Sequence, residues 1–187
     1  LLQAVRDTLG TLLADPKSLG APPGILTALH TWSQTLGLHP HVHGLVTGGG
    51  LTPDGAWKVV RNGFLLPVRV VMAVFRGKLL AAIRQARARE ALVLPEGLRP
   101  QPLLNLLNRL GHPRKTTWNV HIRERYRHGA GVETYLARYL GGGHIKNARH
   151  VACEGDRFTC TCPSRPEEAA GGCVSAPLPQ LWGVGFL

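Results

Sequence analysis

The stretch Leu38-His39-Pro40-His41-Val42-His43-Gly44-Leu45-Val46-Thr47, closed by Gly48-Gly49-Gly50, constrains this chain more than any other. A charged imidazole is costly to bury, yet two histidines flank one valine in a run that is otherwise apolar or small. Side chains alternate faces along a strand. His41 and His43 therefore point the same way as Leu45 and Thr47, with Val42, Gly44 and Val46 on the other face. Two imidazoles side by side on a pleat can hold one divalent metal. A lone His-x-His is more often a hydrogen-bonded structural histidine beside a surface one, and the rest of the sequence has to decide between the two.

A metal held by two imidazoles is under-coordinated, and an adjacent antiparallel strand is the natural source of a third ligand. The run Ile25-Leu26-Thr27-Ala28-Leu29-His30-Thr31-Trp32 is apolar and partly β-branched, and reads as a strand that pairs with the histidine strand across Gln34 to Pro40. His30 and Gln34 are then the candidate third ligands. A nitrogen from His30 suits Mn²⁺ or Zn²⁺, and an amide oxygen from Gln34 leans toward Mg²⁺. His39 is a further option, although its place beside Pro40 suggests a turn. Gly48-Gly49-Gly50 and Pro53-Asp54-Gly55 read as loops and turns, and Trp57 to Val60 as a short strand.

Helical spacing appears in four places. Leu2, Val5, Leu9, Leu12 and Leu13 predict an amphipathic helix to about Ala14, ended by Asp15-Pro16. Val68, Val71, Met72, Phe75, Leu79 and Ile83 predict a long helix from Pro67 to about Leu92, and Leu103 to Leu110 a short one. Arg69, Arg76, Lys78, Arg84, Arg87 and Arg89 give the long helix a basic side suited to a phosphate backbone. The alternating segment Thr116-Thr117-Trp118-Asn119-Val120-His121-Ile122 predicts another strand. Val132 to Leu140, after the glycine-bearing turn Gly129 to Gly131, is the fourth helix, with an acid, Glu133, in its first turn. It sets Tyr135 and Tyr139 four residues apart, on one face and about 5–6 Å apart at Cβ. Either tyrosine alone is an ordinary core or rim aromatic.

Composition narrows the function. Among 187 residues, 22 Lys and Arg stand against 11 Asp and Glu, a formal net charge of +11, which points to a polyanionic partner. No uncharged apolar run approaches the roughly 18–20 residues needed to span a bilayer, and the amino end lacks a signal-peptide layout. A soluble, intracellular protein with no membrane partner is expected. The chain begins at Leu1 inside a helical pattern and its only methionine is Met72, so it reads as a fragment. Cys153, Cys160, Cys162 and Cys173 lack the paired spacing of common zinc modules, and nothing suggests a disulfide framework.

A phenol oxygen can attack a phosphodiester when a divalent ion withdraws charge from the phosphate and the phenol lies in line with the leaving oxygen. Two phenols on one helix would let a protein hold one cut end while cutting another. His30-Thr31-Trp32-Ser33-Gln34, His39-Pro40-His41-Val42-His43, Gly48-Gly49-Gly50-Leu51 and Tyr135-Leu136-Ala137-Arg138-Tyr139, in that order, resemble the two-tyrosine transposases of rolling-circle insertion sequences, within the HUH superfamily of single-strand endonucleases. The likeness covers roughly residues 1–150. It implies an α+β fold with an antiparallel central sheet flanked by helices. It also implies a metal-dependent (Mg²⁺ or Mn²⁺) enzyme that nicks single-stranded DNA at transposon ends, keeping a covalent link to the 5′ phosphate and leaving a free 3′ hydroxyl. By the same resemblance, His41 and His43 are metal ligands and Tyr135 and Tyr139 the nucleophiles; strand pairing adds His30 (or Gln34) as the third ligand, and Lys146 and Arg149, just beyond the tyrosine helix, with Arg138 on it, are candidate DNA contacts that no motif fixes.

Two departures from that family stand out. No cysteine- and histidine-rich zinc-binding region precedes Leu1. Residues 151–187 lack steady periodicity and read as an irregular tail, frameshifted or disordered. Three other functions compete: a replication initiator or relaxase of the same superfamily, a basic nucleic-acid-binding protein without catalysis, and a metal hydrolase built on His39, His41 and His43. The last is disfavoured because no nearby carboxylate offers a general base and Asp54 lies beyond the glycine loop.

Overall fold

A computed structural model of the chain describes residues 1–33, 37–60, 66–94, 100–113, 116, 118–123, 126, 129–139, 150–155, 157–161 and 173–177. The fold is α+β, with helices α1 (Leu2–Ala14), α2 (Val68–Ala88), α3 (Pro100–Gly111) and α4 (Gly129–Tyr139). The strands are β1 (Pro23–Trp32), β2 (Leu38–Leu51), β3 (Trp57–Val59), β4 (His150–Glu154), β5 (Arg157–Thr161) and β6 (Cys173–Pro177). They form two antiparallel three-stranded sheets, ordered β1-β2-β3 and β4-β5-β6. Two compact units divide the chain, residues 1–27 with 44–125 and residues 28–43 with 126–187. No helix among the described residues is long and apolar enough to cross a membrane.

The first unit owes its stability to two apolar clusters. Leu13, Leu19, Ala21, Leu66 and Val71 bury together beside Leu9, Leu12, Val46 and Val60, which joins the apolar side of α1 to α2 and the sheet. Leu80 of α2 packs with Leu103 and Leu107 of α3, flanked by Ile83, Leu92 and Leu94. α2 stops at Ala88, short of the predicted Leu92. Glu90 adopts φ 57° and the Ala91 amide donates to the Ala86 carbonyl. That left-handed exit turns the chain back. Leu92 and Leu94 then join the α2–α3 core instead of lengthening the helix.

Three predicted elements differ from the structure. The segment 116–122 is not a strand at any described position. Its alternating residues satisfy themselves by packing: Trp118 lies edge-on to Phe75 at 5.7 Å and its indole N–H donates to the Leu110 carbonyl at 3.0 Å, while Val120 joins the α1–α2 cluster. Gly48-Gly49-Gly50 is strand, not loop, and completes β2 against β3. A Cβ at Gly49 would stand 2.6 Å from the Lys58 carbonyl oxygen, and one at Gly50 2.5 Å from that of Pro22. These glycines therefore answer close backbone approach, not turn geometry. Gly129 to Gly131, predicted as a turn, opens α4, which moves Glu133 into its second turn.

In the second unit, the stretch that the sequence leaves irregular contains β4, β5 and β6. β4 and β5 join through Gly155 at φ 57°, with Glu154 opposite Arg157.

Candidate active site

The second unit holds His30, His41 and His43 together with the tyrosine helix α4. β1 and β2 run antiparallel, and near their connection the Ser33 amide donates to the Gly37 carbonyl at 2.8 Å. The ring of His30 on β1 lies against those of His41 and His43 on β2. The His30 ring centroid lies 5.4 Å from that of His41 and 4.6 Å from that of His43, and His41 and His43 stand 5.0 Å apart. All three are half-buried, and one nitrogen from each can be chosen so that the three lie within 4.8 Å of one another. Imidazole nitrogens sharing an ion at about 2.1 Å each are at most about 4.2 Å apart, so small side-chain rotations close the set.

The tautomer of His41 is also set by its surroundings. Its Nδ1 lies 2.7 Å from the backbone carbonyl oxygen of His39. A carbonyl only accepts, so Nδ1 carries the proton and Nε2 presents its lone pair, the orientation a metal-binding histidine requires. His39 is exposed, with its ring 5.0 Å from that of His41, and stands outside the triad. Its contribution is the carbonyl. Gln34, the alternative third ligand, lies outside the described residues.

α4 brings a tyrosine to this cluster. The Tyr135 ring lies 6.4 Å from that of His43, inclined at 70°. Tyr139 belongs to the same helix, but its side chain and that of Arg138 lie outside the described residues, as do Lys146 and Arg149. A residue not singled out by the sequence also takes part. Tyr126 packs 6.1 Å from Tyr135, and a Cβ at Gly131 would stand 2.6 Å from its Cδ1 atom. Gly131 and Tyr135 are one helical turn apart, so Tyr126 lies along the face of α4 that carries Tyr135. Its only trace in the sequence is an aromatic set inside the basic run Arg123 to Arg127.

The triad contains no carboxylate. Three neutral imidazoles would leave the full charge of a bound divalent ion facing outward, an arrangement that attracts phosphate. Asp54 belongs to the first unit. Its carboxyl is held below its ordinary 3.8 by the Thr52 hydroxyl and by backbone amides, which makes it a weaker base still.

This arrangement agrees with what the chain is similar to. The family described as "Putative transposase" matches residues 24–170, and the chain belongs to that family. The match spans the histidine strands, the tyrosine helix and β4–β5. The chain is 38% identical over 156 residues to a protein of Sinorhizobium fredii named "Putative transposase y4qJ", covering 82% of this chain and 39% of the relative. It is 31% identical over 154 residues to the "Transposase for insertion sequence element IS801" of Pseudomonas savastanoi pv. phaseolicola, covering 76% of this chain and 35% of the relative. The chain thus spans between a third and two fifths of the length of these relatives. No solved structure matches.

Proposed function

We propose that this chain carries the strand-cutting chemistry of an insertion-sequence transposase: it nicks single-stranded DNA at the element's ends and transfers the strand through a 5′-phosphotyrosine. The observation that carries the reading is the meeting of the imidazole triad with Tyr135, from segments about a hundred residues apart, at 6.4 Å between the His43 and Tyr135 rings. Family membership and relatives named as transposases support it. The chemistry is assigned within residues 1–150, as the sequence resemblance divides the chain.

His30, His41 and His43 would hold the metal, and an all-imidazole set favours Mn²⁺ over Mg²⁺. A divalent ion bound there supplies Lewis-acid withdrawal of charge from a phosphate. The chain's own groups do the rest. His39 holds His41 in the coordinating tautomer through its carbonyl. Tyr126, seated against Gly131, packs beside Tyr135 and limits where its ring can swing. The Tyr135 phenol oxygen then attacks phosphorus. An O–P bond forms to tyrosine, the P–O3′ bond breaks, and the phenolic proton is matched by the proton gained at the departing 3′ oxygen. The 5′ phosphate stays on the protein and conserves the bond energy for rejoining. Tyr139 is assigned as the second nucleophile, and Arg138, Lys146 and Arg149 as phosphate contacts. The setting is the nucleoid, in the cytoplasm.

The test uses a single strand carrying the element terminus, labelled at its 3′ end and incubated with the protein and Mn²⁺. The expected result is a detergent-resistant protein–DNA adduct that chelator abolishes. Equal adduct from the double variant Tyr135→Phe/Tyr139→Phe would defeat the tyrosine mechanism. Salt-sensitive binding with no adduct at all would favour a DNA-binding protein without catalysis.

A further inference from the structure

The first unit contains a charged feature that the histidine–tyrosine site does not use. At about 100° per residue, Arg69, Arg76, Arg84 and Arg87 of α2 fall within an arc of about 80°, with Leu80 in its middle. Leu80 is only 2% exposed and packs on Leu103 and Leu107, so this arginine stripe is turned toward α3. Beside it an open groove of about 510 Å³ runs between the helices, lined by Arg76, Gly77, Leu80, Arg84 and Asn108 and reaching His112 at the end of α3. The Arg84 guanidinium donates to the Asn108 side-chain oxygen at 3.3 Å, which orients it across the groove. Gly77 leaves the wall open, since a Cβ there would meet nothing within 4 Å.

Among the described residues these arginines have no carboxylate partner. Like charges at helical spacing repel one another. A stripe of cations with no acid beside it among the described residues is therefore complementary to a phosphate backbone.

We propose that the α2–α3 groove is a track for the backbone of single-stranded DNA, indifferent to sequence and separate in function from the cutting site. The inference rests on the reading of single-stranded DNA as substrate, and it adds residues of the first unit that hold the strand. Arg76 is half-buried in the groove wall and Arg84 is exposed beside it. Arg76 and Arg84 stand about 12 Å apart along the axis, enough to grip separate phosphates of one strand.

The experiment measures the anisotropy of a fluorescent homothymidine strand across a salt series, in chelator so that no metal site contributes. Arg76→Gln/Arg84→Gln is expected to weaken binding by about tenfold or more near 0.1 M salt and to reduce the log–log salt slope by about 1.4, since each lost phosphate contact on a single strand is worth about 0.7. Lys78 and Arg89, which the sequence groups with the other basic residues of the helix, fall about 160–180° round it from Leu80, so Lys78→Gln/Arg89→Gln removes the same charge from the far side and should weaken binding less than about threefold. Arg76→Lys/Arg84→Lys keeps the charge and should keep most of the affinity, so a loss confined to the Gln pair is not a folding artefact. Equal losses in the two Gln pairs, or a duplex of the same length bound as tightly through Arg76 and Arg84, would overturn the proposal. A parent protein that binds thymidine through these arginines but makes no adduct sinks the cutting reading alone. Adduct formation alongside normal binding by the Gln pair sinks the groove alone.

Discussion

The histidine–tyrosine site and the α2–α3 groove handle charge in opposite ways. In the first, side chains from β1, β2 and α4 act by geometry: imidazoles coordinate only when unprotonated and aimed at one point, and a phenol matters only if it reaches that point. In the second, permanently charged guanidinium groups on one helix act by number, and each adds a phosphate contact of similar worth. The contrast teaches that single substitutions should be all-or-none in the first region and graded in the second.

The largest expected effect follows from that contrast. His41→Ala should lower adduct formation by about two orders of magnitude or more and remove Mn²⁺ binding in a calorimetric titration, because both the tautomer-fixed ligand and its geometry are lost. A graded, severalfold loss would make the two regions alike and break the comparison. Next in size, Leu107→Ala opens a cavity under the groove and should cost about 2–5 kcal/mol in urea unfolding. A third prediction concerns Gly50→Ala. A Cβ there stands 2.5 Å from the Pro22 carbonyl oxygen, so the strand has to shift, at about 1–3 kcal/mol of stability.

Gly131→Ala sharpens the comparison with a smaller effect. The new methyl group displaces the Tyr126 ring, and if Tyr135 depends on that support, adduct formation slows severalfold while thymidine binding in the groove stays as in the parent. Tyr126→Phe keeps the ring and should retain near-parent rates. Slow reaction in the Phe variant as well would mean that the Tyr126 hydroxyl, and not its bulk, is what matters.

Much of this architecture is legible in the sequence where one period dominates. α1 and α3 follow from leucine spacing, and the pairing of β1 with β2 brings His30 to His41 and His43 because strand alternation leaves few alternatives. Legibility fails where one residue type serves two purposes. Glycine reads as a turn at 48–50 and 129–131, yet it answers backbone crowding in β2 and ring packing in α4. Alternation at 116–122 reads as a strand, but Trp118 and Val120 spend it on two separate apolar clusters. Tyr126 could not be picked out, because only the folded chain shows that the basic run sets its ring beside Tyr135. The His39 carbonyl is hidden for a different reason: backbone atoms leave no residue-type signature.

The most direct measurement maps the covalent bond. After reaction with a single strand and Mn²⁺, nuclease and protease digestion followed by peptide mass spectrometry locates the nucleotide-bearing residue. The account predicts a phosphotyrosine on the α4 peptide at Tyr135, or at Tyr139 of the same helix, lost on chelation and in His41→Ala. A nucleotide carried by Tyr126, or an adduct that persists without the triad, would contradict it.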